Sequence, residues 1–186
     1  MNKLIRFIER NISGKKILLL FILTNVIYIF ILTVTIPRTM AFSSGMKLLD
    51  MMPLGYDFNY VNELFNTLGE IGRKTYLTTQ IPADMIYPLL FGISYCLILG
   101  YFLKKLNKLK TPYSYLCILP IIAGVFDYFE NLGIIVMLNN YPDLTPFSIS
   151  TTSVFTILKS ITTSVFFICL IVLLISLGIK YLNRNR

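Results

Sequence analysis

Four stretches of this chain are long and apolar enough to cross a bilayer, and nothing else in the sequence limits the fold so strongly. They run from Ile17 to Ile36, Met85 to Leu103, Tyr113 to Leu138 and Val154 to Leu177. A helix rising about 1.5 Å per residue needs ~20 residues to cross a hydrocarbon layer ~30 Å thick. Lipid offers no hydrogen bonds to the backbone, so each stretch must satisfy its own and fold as a helix. The expected class is all-α, a polytopic membrane protein with four transmembrane helices forming a single domain over residues 1–186. Composition agrees, with 14% charged residues where a soluble domain carries ~25%. The opening "MNKLIRFIERNISGKK" has the basic start of a signal peptide. The apolar run after it exceeds the ~7 to 15 residues of a signal core, so a retained helix is expected.

Lysine and arginine give the orientation. Of 17 such residues, one group (Lys3, Arg6, Arg10, Lys15, Lys16) precedes the first span and another (Lys104, Lys105, Lys108, Lys110) separates the second and third. Lys180, Arg184 and Arg186 follow the fourth. An even number of spans puts these segments on one side, and the positive-inside rule makes that side the cytoplasm. The expected location is the plasma membrane, with both termini cytoplasmic. The net charge of +8 is then a topology signal and an attraction to anionic lipid, and nucleic acid is not an expected partner. Membrane lipids are, together with a second copy of the chain or another membrane protein.

The absence of histidine removes the Ser-His-Asp triad and histidine-ligated zinc. Cys96, Cys117 and Cys169 are far apart, each in an apolar run, and read as packing residues. Any chemistry must use carboxylates, lysine, arginine or hydroxyls. No cofactor is required by this reading, although Asp84, Asp127 and Glu130 could together hold a hard divalent cation.

The loop from Pro37 to Asp84 is too long to be a mere connection. Val61, Leu64, Phe65, Leu68 and Gly72 follow helical spacing, so an amphipathic helix over about 59–79 is expected in this first extracytoplasmic loop. The stretch "VFDYFENL" then places Asp127, Glu130 and Asn131 on one face of the third span. Counting from the cytoplasmic ends, Asp127 lies about 21 Å up, Glu130 about 26 Å, Asp84 about 30 Å and Lys159 about 32 Å. These groups occupy the outer third of the membrane, where an ionised side chain facing lipid costs several kcal/mol, so they should face one another or water. Arg73 is the expected lid cation over that pocket.

The succession "LGEIGRKTY", "DMIYP", "FDYFENL", "YPDL" and a lysine in the last span resembles a group of bacterial four-helix integral membrane proteins carrying LGxxGRxxY, DxxYP and DxxEN signatures. The resemblance covers Leu68 to Lys159 and implies the four-span architecture. It singles out Gly72, Arg73, Tyr76, Asp84, Tyr87, Pro88, Asp127, Glu130, Asn131 and Lys159. It implies no reaction, since the group has no established activity.

Two functional classes and one structural reading remain open at this point. In the first, the pocket binds or modifies a lipid or lipid-linked substrate. Asp127, Glu130 and Asp84 are then the candidate acid, base or metal-binding groups, and Arg73, Lys159, Tyr76, Tyr87 and Asn131 the substrate-binding ones. In the second, the chain is a small transport or ion-binding unit. The structural reading makes it an accessory subunit of a membrane complex, with carboxylates and Lys159 gluing helices together.

Overall fold

The computed structural model describes residues 2–110 and 112–184, so the expected basic position at Arg186 lies outside the described residues, as does the Arg184 side chain. Helices make up the secondary structure, with no strand among the described residues. A short helix α1 (Asn2–Asn11) precedes four helices long and apolar enough to span a membrane. These are α2 (Gly14–Met40), α3 (Phe58–Lys105), α4 (Pro112–Asn140) and α5 (Pro146–Asn183). Neighbours in sequence pack as neighbours in space: α2 against α3, α3 against α4 and α4 against α5. The chain is a four-span membrane bundle.

The amphipathic segment is present but differs in extent from the helix expected over about 59–79. It starts at Phe58, where Asp57 Oδ1 accepts the Tyr60 N–H at 2.8 Å as an N-cap. Val61, Leu64, Phe65 and Leu68 are buried, while Asn62, Glu63 and Asn66 face outward. The helix breaks at Gly69, whose φ of 61° and ψ of −175° belong to a region open almost only to glycine. From Glu70 the chain runs on without interruption into the second span. Gly69→Ala should therefore cost about 1–3 kcal/mol, read as a lower melting temperature in detergent.

Two prolines shape the opposite pair of turns. In "TIP" (Thr35–Pro37) and "QIP" (Gln80–Pro82) the proline ring would meet the carbonyl four residues back, and each helix widens into a π turn just before it, over Ile31–Thr35 and Tyr76–Gln80. Pro120, by contrast, sits in the first turn of the α-helical part of the third span. There its missing N–H costs nothing, and a 3₁₀ stretch over Pro112–Ile118 precedes it.

One end of the bundle gathers the basic segments. Lys180 Nζ donates to the Lys105 carbonyl at 2.6 Å, and Lys110 lies 3.9 Å from Glu9. The α1 helix lies at that end with Ile5 and Ile8 buried against α3, Gly100 leaving the space for Ile8. Two apolar cores follow along the bundle. The one nearer the basic end contains Phe91, Tyr95, Leu99, Leu103, Cys117 and Phe166. The other, under the amphipathic segment, contains Leu48, Leu49, Phe65, Ile134, Met137 and Ile149. Polar side chains lie between the two.

Candidate functional site

The polar layer is assembled from three spans. Lys159 on α5 forms ion pairs with Asp127, at 3.2 Å, and with Glu130, both on α4. Thr156, one turn earlier on α5, donates to Glu130 Oε1 at 2.8 Å. Glu130 is wholly enclosed, and Asp127 is 7% exposed. From α3, Asp84 joins the same layer: the Asn131 amide donates to its backbone carbonyl at 3.4 Å, and its side chain lines a cavity that Asp127 and Lys159 also reach.

That cavity measures about 660 Å³. Its floor is α3 and α4, through Asp84, Tyr87, Phe91, Gly124 and Asp127, and its flanks are α2 and α5. The loop residues Asp50, Met51 and Pro53 close it on the side away from the basic end. Because α2 packs on α3 and α5 on α4, a slot is left between α2 and α5. Tyr28 and Leu32 on one edge, and Ser164 and Phe167 on the other, are exposed along it. One wall is aromatic: Tyr28 stacks on Tyr87 at 5.3 Å between centroids, and Tyr87, Phe91 and Tyr95 continue the row.

Asp50 is the residue that reading the sequence passed over. It lies in a loop with no periodicity, and its charge there is unremarkable in one dimension. In the fold its two oxygens accept from the Tyr76 hydroxyl and from Gln80 Nε2, each at 2.7 Å. Gln80 in turn accepts from the Thr35 hydroxyl through Oε1 at 2.5 Å. Thr35 and Gln80 each end a π turn, so the two proline-induced bulges meet and hold Asp50 at the cavity. The signal was the repeated polar-Ile-Pro triplet. Above the layer, the Tyr56 hydroxyl lies 3.5 Å from Thr156 Oγ1, and burial pushes its phenol up, so it remains neutral.

Arg73 does not roof the cavity, contrary to the expectation for it. The helix breaks at Gly69, and across that break Arg73 Nη1 donates to the Phe65 carbonyl at 2.7 Å. Its guanidinium lies 4.4 Å from the centre of the Tyr141 ring. "LGEIGRKTY" is thereby accounted for residue by residue. Gly69 turns the chain, Gly72 lets the helix approach Phe42, Arg73 caps the broken end and Tyr76 holds Asp50. Arg73→Ala should cost about 1–2 kcal/mol of stability and leave binding in the cavity unchanged, since Arg73 is not among the cavity's lining residues.

Of the residues expected at the site, Asp84, Asp127, Lys159 and Tyr87 line the cavity. Glu130 and Asn131 lie behind it, fully buried, so an acid and base pair of Asp127 with Glu130 would have one member out of reach of a substrate. Tyr76 acts on the cavity through Asp50. Among the described residues no group of three acidic or cysteine side chains is close enough to hold a metal ion, and the divalent cation considered for Asp84, Asp127 and Glu130 finds no donor set.

No family model, no curated protein and no solved structure matches the chain. The class is set by the fold, a multi-pass helical membrane protein.

Proposed function

We propose that this protein takes a lipid-like molecule from the surrounding bilayer through the slot between α2 and α5 and holds its polar end against Asp50 and Asp84. The observation that carries this reading is the cavity itself. Its volume of about 660 Å³ falls within the ~300–1,000 Å³ of small-molecule sites, with an aromatic and aliphatic wall and a few convergent polar groups. Its flank faces the region lipid occupies, so an acyl chain need not cross water to reach it.

The reading comes with an orientation and a lineage, both part of the proposal. The basic end is cytoplasmic by the positive-inside rule, which puts the cavity towards the outer leaflet of a plasma membrane. The LGxxGRxxY, DxxYP and DxxEN signatures group the chain with the bacterial four-helix proteins it resembles.

One part of the polar layer supports the structural reading instead. Lys159 is taken up by two carboxylates, and Glu130 has no access to the cavity. We assign that trio to holding α4 and α5 together, and ligand contact to Asp50 and Asp84. Native mass spectrometry of protein extracted in mild detergent tests the proposal. Wild type is expected to retain an apolar adduct, and Thr163→Phe, which fills the cavity from α5, to lose it. A wild-type protein that carries no adduct after extraction and gains none on incubation with membrane lipid extract would overturn the reading.

A further inference from the structure

The charge balance of the cavity narrows the ligand further. Three carboxylates line it, from Asp50, Asp84 and Asp127, against one cation, Lys159. That cation is already shared between Asp127 and the enclosed Glu130. Among the described residues no lysine or arginine nitrogen lies within 4.0 Å of Asp50 or Asp84. Asp84 is 7% exposed; the neutral Asn131 amide donates to its backbone carbonyl and leaves its carboxylate uncompensated. Asp50 is held by neutral donors, Tyr76 and Gln80. With Arg73 turned away to Phe65 and Tyr141, no described cation at the cavity other than the already paired Lys159 is left to neutralise a phosphate or carboxylate.

A second, independent observation has the same sign. Tyr28, Tyr87, Phe91 and Tyr95 all line this cavity. Aromatic faces attract cations through their quadrupole, most strongly ammonium groups shielded from water. Tyr87 lies one helical turn from Asp84, so a carboxylate and a stacked tyrosine pair border the same space. Anionic and aromatic surfaces around one chamber are the chemistry of ammonium recognition, whereas an anionic head group would face three carboxylates there.

We infer that the ligand is an amphiphile with an ammonium head group, seated against Asp84 and Asp50 with its apolar chain leaving between α2 and α5. This rests on the reading of the cavity as a site for a lipid-like molecule. The test uses the full-length protein in a neutral detergent and three probes sharing one alkyl chain: hexadecylamine, hexadecanol and hexadecyl phosphate, at equal low mole fraction. Hexadecylamine is expected to raise the apparent melting temperature by about 3 °C, the alcohol by less, and the phosphate not at all. In Asp84→Asn the advantage of the amine over the alcohol should vanish while the alcohol shift persists.

Ser164→Phe leaves every carboxylate in place and obstructs the slot. It should abolish the shifts from both amine and alcohol, and it keeps the site testable should Asp84→Asn fail to fold. Equal shifts from all three probes, or a larger one from the phosphate, would overturn the ammonium assignment and leave the lipid site standing. No shift from any probe would count against both. An amine shift that survives Asp84→Asn or Ser164→Phe undiminished would place binding elsewhere and overturn the assignment to this cavity.

Discussion

Lys159→Met is expected to lower the apparent melting temperature by about 10 °C. Among the described residues the Lys159 side chain is the one cation paired with Asp127 and Glu130, which are 7% and 0% exposed. Removing one partner from a buried ion pair costs about 3–5 kcal/mol, because the charge left behind has neither solvent nor counter-ion. In a chain of this size each kcal/mol moves the midpoint by about 2–4 °C. Adding Asp127→Asn and Glu130→Gln to Lys159→Met should return part of the loss, since neutral amides no longer demand a counter-charge. Asp84→Asn removes no ion pair and is expected to melt near wild type. A Lys159→Met protein melting within two degrees of wild type, by about the scatter expected of surface changes, would show that the trio does not hold α4 to α5.

That contrast between neighbouring carboxylates was only half legible in one dimension. Helical rise is fixed, so counting residues from the basic ends was enough to bring Asp84, Asp127, Glu130 and Lys159 to one depth. The sequence also showed more carboxylates than cations in that layer. It did not show which of them is the surplus, because pairing depends on rotation of each helix and on a Thr156 hydroxyl that in sequence looks no different from Thr152 or Thr163 on the same helix. Asp50 was invisible for a different reason. Its position follows from a loop folded over the bundle and from two π turns, and neither apolar periodicity nor depth counting registers either.

The four apolar runs could be read directly because lipid leaves the backbone no other solution. Arg73 could not. Its spacing from Glu70 and Tyr76 points along an unbroken helix, and the single glycine at Gly69 redirects the chain before it. Once that break is known, the guanidinium has the Phe65 carbonyl and the Tyr141 ring within reach and does not extend over the cavity.

Two glycines on the seam between α3 and α4 should respond unequally to the same substitution. A Cβ built on Gly124 would lie 2.8 Å from the Pro88 carbonyl oxygen, which is backbone of α3 and cannot swing aside. Gly124→Ala must therefore push the two helices apart, an overpacking cost of about 2 kcal/mol or more. The displacement also reaches the cavity. Asp127 is three residues after Gly124 and Asp84 four before Pro88, so the carboxylates each lie within about one turn of the contact that moves. The retained adduct should be lost along with roughly 5 °C of thermal stability. On Gly92 the added Cβ would sit 3.4 Å from Ile121 Cα and the Pro120 oxygen, at the near edge of ordinary van der Waals contact. Helix propensity favours alanine there by up to ~1 kcal/mol, which offsets the tightness, so Gly92→Ala should melt within a degree or two of wild type. Both variants would be compared by thermal melts and native mass spectrometry of the same preparations. Equal destabilisation by the two would mean that the seam tolerates or rejects volume uniformly, and that the close approach at Pro88 does not set the position of the carboxylates.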